Sequence, residues 1–472
     1  MIYPFFVFLF SHDSQIMKAF VPFLLVLFSL SCYSQTTYTI TGEVANLAES
    51  KIYLASFYGE QVHVFDSAMV MPGGMIRIPC PGNRLPGYYR VILKKDHYVD
   101  LILNREDIRF RTDFDEPFDS LRIVESRENQ IYYDFLKLAG KNRLKLDLLT
   151  TLIDYYPRDD AFYDQIRQQY HLAQQTTENY IDSIVREFPS LYVTRVLKAQ
   201  RKPYLKAELT PEERITYLRA NYWSLVDMTD TSLLRSTVYT NLAIDYLSLY
   251  GNRQFTQEQL EASFIEAVDV MLGHSMVDET VYRFMLEYLV KGFEKYHFDK
   301  VLDHISTTYA IEEGCENENI DSEVMKRLKN YQNLSVGKPA PAVVIADTSG
   351  KLLDLQQFTN DYLLIIFWAS WCPHCSELMP QLKEVYQKYR PRLEMLAISI
   401  DNDMEAYRKA LKEGNYPWMN ACDLKGWGSQ PAIDFNIYAT PTMFLLDKQK
   451  TILAKPITLR ELQNELMKVF NF

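Results

Sequence analysis

The chain has 472 residues, of which 47% are hydrophobic and 24% are charged, so it can form about three globular domains with ordinary cores. Its formal net charge is -11 and it has no long basic block, which argues against nucleic acid as a partner. After residue 34 no segment approaches ~18 uninterrupted apolar residues, so we expect no membrane-spanning helix in the mature protein.

The first residues have the order of a secretory signal. Lys18 precedes an apolar run at residues 19–30, and small residues follow. A basic residue comes first only if translation starts at Met17, so we interpret Met17 as the true start. Cleavage after Ser34 and lipid attachment at Cys32 are both compatible with the segment. We therefore predict an exported protein of the periplasm or cell envelope, either soluble or lipid-anchored at Cys32.

The region from Thr37 to about Val124 consists of short alternating runs separated by Gly, Pro and Asn. The runs lie at residues 38–44, 51–57, 62–69, 75–78, 88–93 and 98–103. Alternation with a period of two, with turn signals between the runs, predicts an antiparallel β-sandwich or barrel.

Between residues 128 and 333 the apolar period changes to about 3.6, which predicts six to eight helices in an irregular bundle. Thr210 with Glu213, and Thr256 with Gln259, have the spacing of capping boxes and predict two helix starts.

The last region alternates strands with helices, which predicts an α/β domain with parallel strand pairs and a final hairpin. The predicted division of the chain is a signal peptide at 1–34, a β-rich domain at 36–126, an α-helical domain at 127–333 and the α/β domain at 335–472.

Residues 363–375 read LLIIFWASWCPHC, an apolar strand followed at once by Cys372 and Cys375. Two cysteines in this spacing after a strand are the layout of a dithiol redox site. A helix starting near Cys372 would direct its free N–H groups at the first sulfur and favour the thiolate. A disulfide between such close cysteines closes a tiny loop and stabilises little, so we interpret the pair as a working redox bond.

From about Ser335 onward the chain resembles the thioredoxin-like family, and within it the TlpA/ResA group of bacterial envelope thiol–disulfide oxidoreductases. The matching segments are Val336-Gly337-Lys338-Pro339-Ala340-Pro341, Phe367-Trp368-Ala369-Ser370-Trp371-Cys372, Pro380 and Ala439-Thr440-Pro441-Thr442. The resemblance implies a thioredoxin-like fold for 335–472 and protein thiols or disulfides as substrates. The two earlier regions look similar to N-terminal domains that precede such modules in exported bacterial proteins.

The resemblance also implies a role for each site residue. Cys372 would be the attacking sulfur and Cys375 the buried resolving one. Thr440 and Pro441 would form the family's cis-proline loop, which lies against the dithiol and pairs with a substrate peptide. The supporting residues would be Trp371, Pro373 and His374. The resemblance implies no cofactor. It does imply a redox partner that recycles the dithiol, such as a membrane thiol–disulfide carrier.

His374 needs separate consideration. Two sulfurs and one histidine leave a zinc site incomplete, so we predict no metal and expect His374 to help stabilise the Cys372 thiolate. The Pro-His pair resembles strongly oxidising periplasmic relatives, whereas TlpA/ResA-like proteins are commonly reductants. Both directions of exchange stay open at this point.

Two positions depart from related proteins. Ile366 stands where thioredoxins have a buried Asp, and Leu378 stands where ResA-like proteins have a Glu. Neither side chain can carry a proton, and we interpret the neighbouring Glu377 as a solvated helix residue rather than a base.

Three further cysteines follow the signal segment. A Cys80–Cys315 bridge and unpaired burial are both compatible with export. We interpret Cys422 as a packing residue, with a third redox thiol as the alternative.

The sequence suggests two alternative functions. A peroxidase of the same fold needs Thr or Ser three residues before the reactive cysteine and Pro seven before it, where this chain has Ala369 and Ile365, which disfavours that activity. An envelope binding or assembly protein, with the dithiol as an auxiliary module, is the alternative from another class.

Overall fold

The computed structural model describes residues 37–296, 298–309, 322–347 and 349–470. The chain forms two units, and it passes from the first to the second between Asp245 and Tyr246. The predicted signal segment, with Met17, Cys32 and Ser34, lies outside the described residues, as does Cys315. Among the described helices, none is both long and apolar enough to cross a membrane.

The first unit begins with eight strands. They are β1 (Thr37–Ala45), β2 (Lys51–Tyr58), β3 (Gln61–Met69), β4 (Met75–Pro81), β5 (Gly87–Lys94), β6 (His97–Leu103), β7 (Ile108–Asp113) and β8 (Arg122–Glu125). They pair in two four-stranded sheets with the orders β4-β1-β7-β8 and β3-β2-β5-β6. All six predicted runs lie within strands, and the alternating side chains of both sheets contribute to one hydrophobic core.

Two features of this region differ from the predicted antiparallel sandwich or barrel. The described strands do not close into a barrel, because they pair only within each sheet. In addition, β1 and β7 are parallel, with Ile40 opposite Ile108. The antiparallel prediction is wrong at this pair because alternation shows which face of a strand is buried but not which strand it pairs with or in which direction.

The middle of the chain is helical. Its helices are α1 (Arg127–Tyr155), α2 (Ala161–Glu187), α3 (Tyr192–Ala199), α4 (Pro211–Asn221), α5 (Val238–Ser248), α6 (Gln257–Ser275), α7 (Glu279–Lys295), α8 (Asp299–Thr308) and α9 (Ser322–Asn333). This gives nine helices among the described residues, where six to eight were predicted. Both capping boxes are confirmed: Thr210 caps α4 with Glu213, and Thr256 caps α6 with Gln259.

The second unit includes the α/β region. Its elements are β9 (Val344–Ala346), β10 (Leu352–Asp354), β11 (Tyr362–Trp368), α10 (Pro373–Tyr389), β12 (Leu393–Ser399), α11 (Met404–Gly414), β13 (Met419–Cys422), α12 (Gln430–Asp434), β14 (Thr442–Asp447), β15 (Ile452–Ala454) and α13 (Leu459–Phe470). The main sheet has the order β13-β12-β11-β14-β15. The predicted parallel pair and the final hairpin are confirmed by β11–β12 and β14–β15.

Strand β11 is the centre of this sheet, parallel to β12 and antiparallel to β14. Residues 363–368 are at most 2% exposed, which explains why the run is apolar without alternation. At its carboxyl end the chain turns through Ala369, Ser370 and Trp371 into α10. The end of β11 in the sheet therefore sets the position of the segment that carries Cys372 and Cys375.

A buried carboxylate holds this turn in place. Asp401, just beyond the end of β12, is 1% exposed. It accepts hydrogen bonds from the Ser370 amide at 3.0 Å, the Ser370 hydroxyl at 2.6 Å and the Ser399 hydroxyl at 2.5 Å. Buried polar groups need hydrogen-bond partners, so Asp401 and Ser370 stabilise each other. Because Ser370 lies two residues before Cys372, these bonds hold the turn that leads to the first cysteine.

We predict that Asp401→Asn lowers the free energy of unfolding by about 1–3 kcal/mol, because an amide cannot accept all three hydrogen bonds as a carboxylate does. Urea unfolding of the full chain measures the loss, and hydrogen exchange should show weaker protection of the Ser370 amide. Asp434→Asn, at an exposed position, is the control. Unchanged stability and protection in Asp401→Asn would contradict this role.

Candidate active site

Cys372 and Cys375 lie at the start of α10. Cys372 is the N-cap residue, and Pro373 and His374 are the first two residues of the helix. The Cys375 amide donates a hydrogen bond to the Cys372 sulfur at 3.4 Å. The sulfur therefore takes the place of the oxygen that usually caps a helix, at the positive end of the helix dipole.

The loop before β14 packs against this sulfur. The Thr440–Pro441 peptide bond is cis, as the resemblance implies. The Cys372 thiol is 5% exposed and lies 3.2 Å from the Thr440 carbonyl oxygen, to which it donates. The structure thus brings together four of the predicted site residues, which come from two segments far apart in sequence.

The surroundings of Cys372 favour its thiolate. Burial alone would raise the pKa of this thiol. Hydrogen bonds from the Thr440 side chain, from the Cys375 thiol and from the amides of Cys375 and His374 outweigh burial and hold the pKa below its ordinary value. A lowered pKa gives more of the nucleophilic form at neutral pH.

Cys375 has the opposite environment. It is 1% exposed, and burial, together with the hydrogen bond to Cys372, raises the pKa of its thiol to about 12. It therefore stays protonated while Cys372 ionises. Two thiols one helical turn apart with pKa values shifted in opposite directions have the asymmetry that a stepwise exchange reaction requires.

The supporting residues lie around this pair. Trp371 is 55% exposed and its ring is tilted against that of Trp427, with 6.3 Å between centroids. Pro373 and His374 are also exposed, and the contribution of His374 to the Cys372 sulfur comes from its backbone amide. Within the described part of the chain, no group of three or more His, Cys, Asp or Glu side chains could hold a metal ion.

The positions that carry protons in related proteins are apolar here. Ile366 is fully buried in β11, and Leu378 is 9% exposed on α10. Glu377 is exposed. The sequence did not lead us to predict the part played by Asp401, the buried carboxylate that holds the turn before Cys372. Its signal was an acidic residue two positions after an apolar strand that is parallel to β11, which places it at the same end of the sheet as the cysteines.

Two of the remaining cysteines are described. Cys80 is 2% exposed in the core of the first unit, and burial raises the pKa of its thiol to about 11. Cys422 is 7% exposed, its thiol donates to the Asp401 carbonyl at 3.6 Å, and burial raises its pKa. Neither forms a disulfide with a described cysteine. Both environments favour packing over redox chemistry.

The comparison with family models concerns this same part of the chain. Residues 335–458 match the family model described as Redoxin. The thiol-disulfide oxidoreductase ResA of Bacillus cereus is 28% identical over 142 residues, which are 29% of this chain and 80% of the relative.

Two solved structures have similar sequences. The thiol-disulfide oxidoreductase from Bacteroides fragilis is 34% identical with a TM-score of 0.27, covering 28% of this chain and 99% of that chain. The thioredoxin domain of a thiol-disulfide oxidoreductase from Bacteroides vulgatus is 26% identical with a TM-score of 0.28, covering 29% of this chain and 98% of that chain.

The family match, the relatives and the α/β fold agree with each other. Through its C-terminal region the chain belongs to the thioredoxin-like family, as a ResA-like thiol–disulfide oxidoreductase.

Proposed function

We propose that this protein is an exported oxidoreductase that exchanges disulfides with protein substrates through Cys372 and Cys375. The observation that carries the proposal is the contrast between the two thiols. Cys372 caps α10 and has a lowered pKa, whereas Cys375 is buried behind it with a raised pKa. The Thr440–Pro441 loop, which touches the Cys372 sulfur, is the surface on which a substrate peptide would lie.

In the reducing direction, the Cys372 thiolate attacks one sulfur of a substrate disulfide. That S–S bond breaks, a mixed disulfide forms on Cys372, and the other substrate sulfur leaves as a thiolate that takes a proton from solvent. Cys375 then loses its proton and attacks the Cys372 sulfur, which releases the second substrate thiol and closes the Cys372–Cys375 disulfide. Two electrons pass from the dithiol to the substrate, and the reverse sequence oxidises a pair of substrate thiols.

A second redox protein completes the cycle. A dithiol partner would reduce the Cys372–Cys375 disulfide, or a disulfide partner would oxidise the dithiol, according to the direction in use. Export is supported by the charged and apolar order of residues 18–30, and a lipid anchor at Cys32 would hold the protein at a membrane surface. Outside the cytosol a Cys-x-x-Cys pair can persist in either oxidation state.

We expect Cys375→Ser to trap substrates, because it removes the sulfur that resolves the mixed disulfide. Incubated with a labelled peptide disulfide, the reduced variant should retain about one label per chain, released by dithiothreitol, and mass spectrometry should place the label on Cys372. Cys372→Ser should retain none, and Cys80→Ala should turn over as the unaltered protein does. Labelling of Cys372→Ser at the rate of Cys375→Ser would contradict the assignment.

We also predict that alkylation of the reduced protein is selective for Cys372. Its rate should rise with pH through the pKa of Cys372, with a midpoint below the value of about 8.5 for an ordinary thiol, because the thiolate is the reactive form. Iodoacetamide kinetics read by mass spectrometry measure this, and Cys375 should react only at much higher pH. A midpoint for Cys372 at or above that of a free cysteine peptide would contradict the lowered pKa.

A further inference from the structure

A cavity of about 510 Å³ lies beside the dithiol within the second unit. One wall is the thioredoxin-like region, with His374 and Leu378 of α10 and the Thr440–Pro441 loop. The lining also includes Asp299, Tyr331 and Leu334, which come from the helical region that precedes this fold. A ligand in the cavity would thus contact the loop that touches the Cys372 sulfur and also residues that a thioredoxin fold alone does not contain.

The helical wall is fixed by an ion pair. Asp303 of α8 accepts from the Lys455 ammonium at 3.1 Å and from the Ser335 hydroxyl at 3.3 Å. The side chains of Asp303 and Lys455 are 21% and 11% exposed, so the pair is largely removed from water. The charge of Lys455 is therefore already matched by Asp303, although Lys455 also lines the cavity.

Asp299 lies one helical turn before Asp303, on the same face of α8. Its carboxylate accepts one long hydrogen bond, from the Tyr438 hydroxyl at 3.4 Å, and it forms no salt bridge with any residue that the structure describes. Glu377 adds a second acidic side chain to the lining. Among the described residues, neither Asp299 nor Glu377 forms a salt bridge, so both carboxylates are available to a cationic group in the cavity.

The rest of the lining suits an aliphatic chain and a polar end group. Leu334 is 4% exposed and Phe435 is 1% exposed. Tyr331 is 4% exposed, and its hydroxyl faces that of Tyr438, with which it interacts. Lysine and arginine side chains combine an apolar stem with a cationic head, and they bury the stem while the head meets a carboxylate.

We propose that this cavity binds a lysine or arginine side chain of the client polypeptide, close in sequence to its reactive cysteine, and that Asp299 is the residue that selects it. This inference rests on the proposed function and adds the substrate class. Charge complementarity at such a site discriminates between partners more than it raises overall affinity. The helical region would thereby determine which proteins reach the dithiol.

The test uses two disulfide-bonded peptides that differ only in one residue, Lys or Glu, two positions from the cysteine. We expect the full-length protein to prefer the Lys peptide in kcat/KM by about tenfold, mainly through KM. Asp299→Asn should bring the ratio close to one, and Asp299→Lys should invert it. Glu413→Gln, which removes a charge at an exposed position of α11, should leave the ratio unchanged.

A second readout separates this inference from the redox proposal. Copies of both peptides with Ser in place of Cys can bind but not react, and fluorescence anisotropy measures their affinities directly. The same preference for Lys should appear there, lost in Asp299→Asn, and it should weaken as salt rises from about 0.05 M to about 0.5 M.

Absence of turnover together with a Lys preference in binding would overturn the redox proposal but support the cavity assignment. Equal affinity for both peptides, or a Lys preference that survives Asp299→Asn, would overturn the assignment of Asp299. The salt dependence is measured on the unaltered protein, so the test stays decisive even where a variant does not fold. A preference for the Lys peptide that salt does not weaken would contradict recognition by charge.

Discussion

The hydrogen bond from the Cys375 amide to the Cys372 sulfur is the contact on which the site depends. It exists only because α10 begins directly after Cys372, and α10 begins there because β11 ends at Trp368 in the middle of the sheet. The first amide N–H groups of a helix have no acceptor within the helix, and the helical backbone fixes their direction. A sulfur at the helix N-terminus can therefore accept hydrogen bonds from them. The start of α10 thus supplies hydrogen-bond donors that help to lower the pKa of the Cys372 thiol.

Burial acts on the two cysteines with different results. Around Cys372 the hydrogen bonds outweigh burial, whereas Cys375, one turn inside the helix, has too few donors to offset it. This difference in pKa supports the proposed order of events, in which the Cys372 sulfur attacks and the Cys375 sulfur resolves the mixed disulfide. Ile366 and Leu378 are themselves buried and apolar, so they place no ionisable group at the positions that related proteins use.

Much of this site follows from the sequence because its signals are local. The uninterrupted apolar run of β11, the Cys-x-x-Cys spacing and the Thr440–Pro441 pair each specify a structure within a few residues. The contacts of Asp401 with Ser370 and of Asp299 with Tyr438 were not predicted, since they are made only in the folded chain. The parallel pairing of β1 with β7 was missed for the same reason, because alternation within a strand does not identify its partner.

The central claim is that Cys372–Cys375 is an exchange site rather than a structural bond, and its reduction potential tests this most directly. Equilibration of the full chain with dithiothreitol or glutathione buffers, read by alkylation and mass spectrometry, gives the value. We predict a two-electron couple between about -270 and -120 mV, the range of thiol–disulfide oxidoreductases. A potential below about -300 mV, as in structural disulfides, would contradict the account.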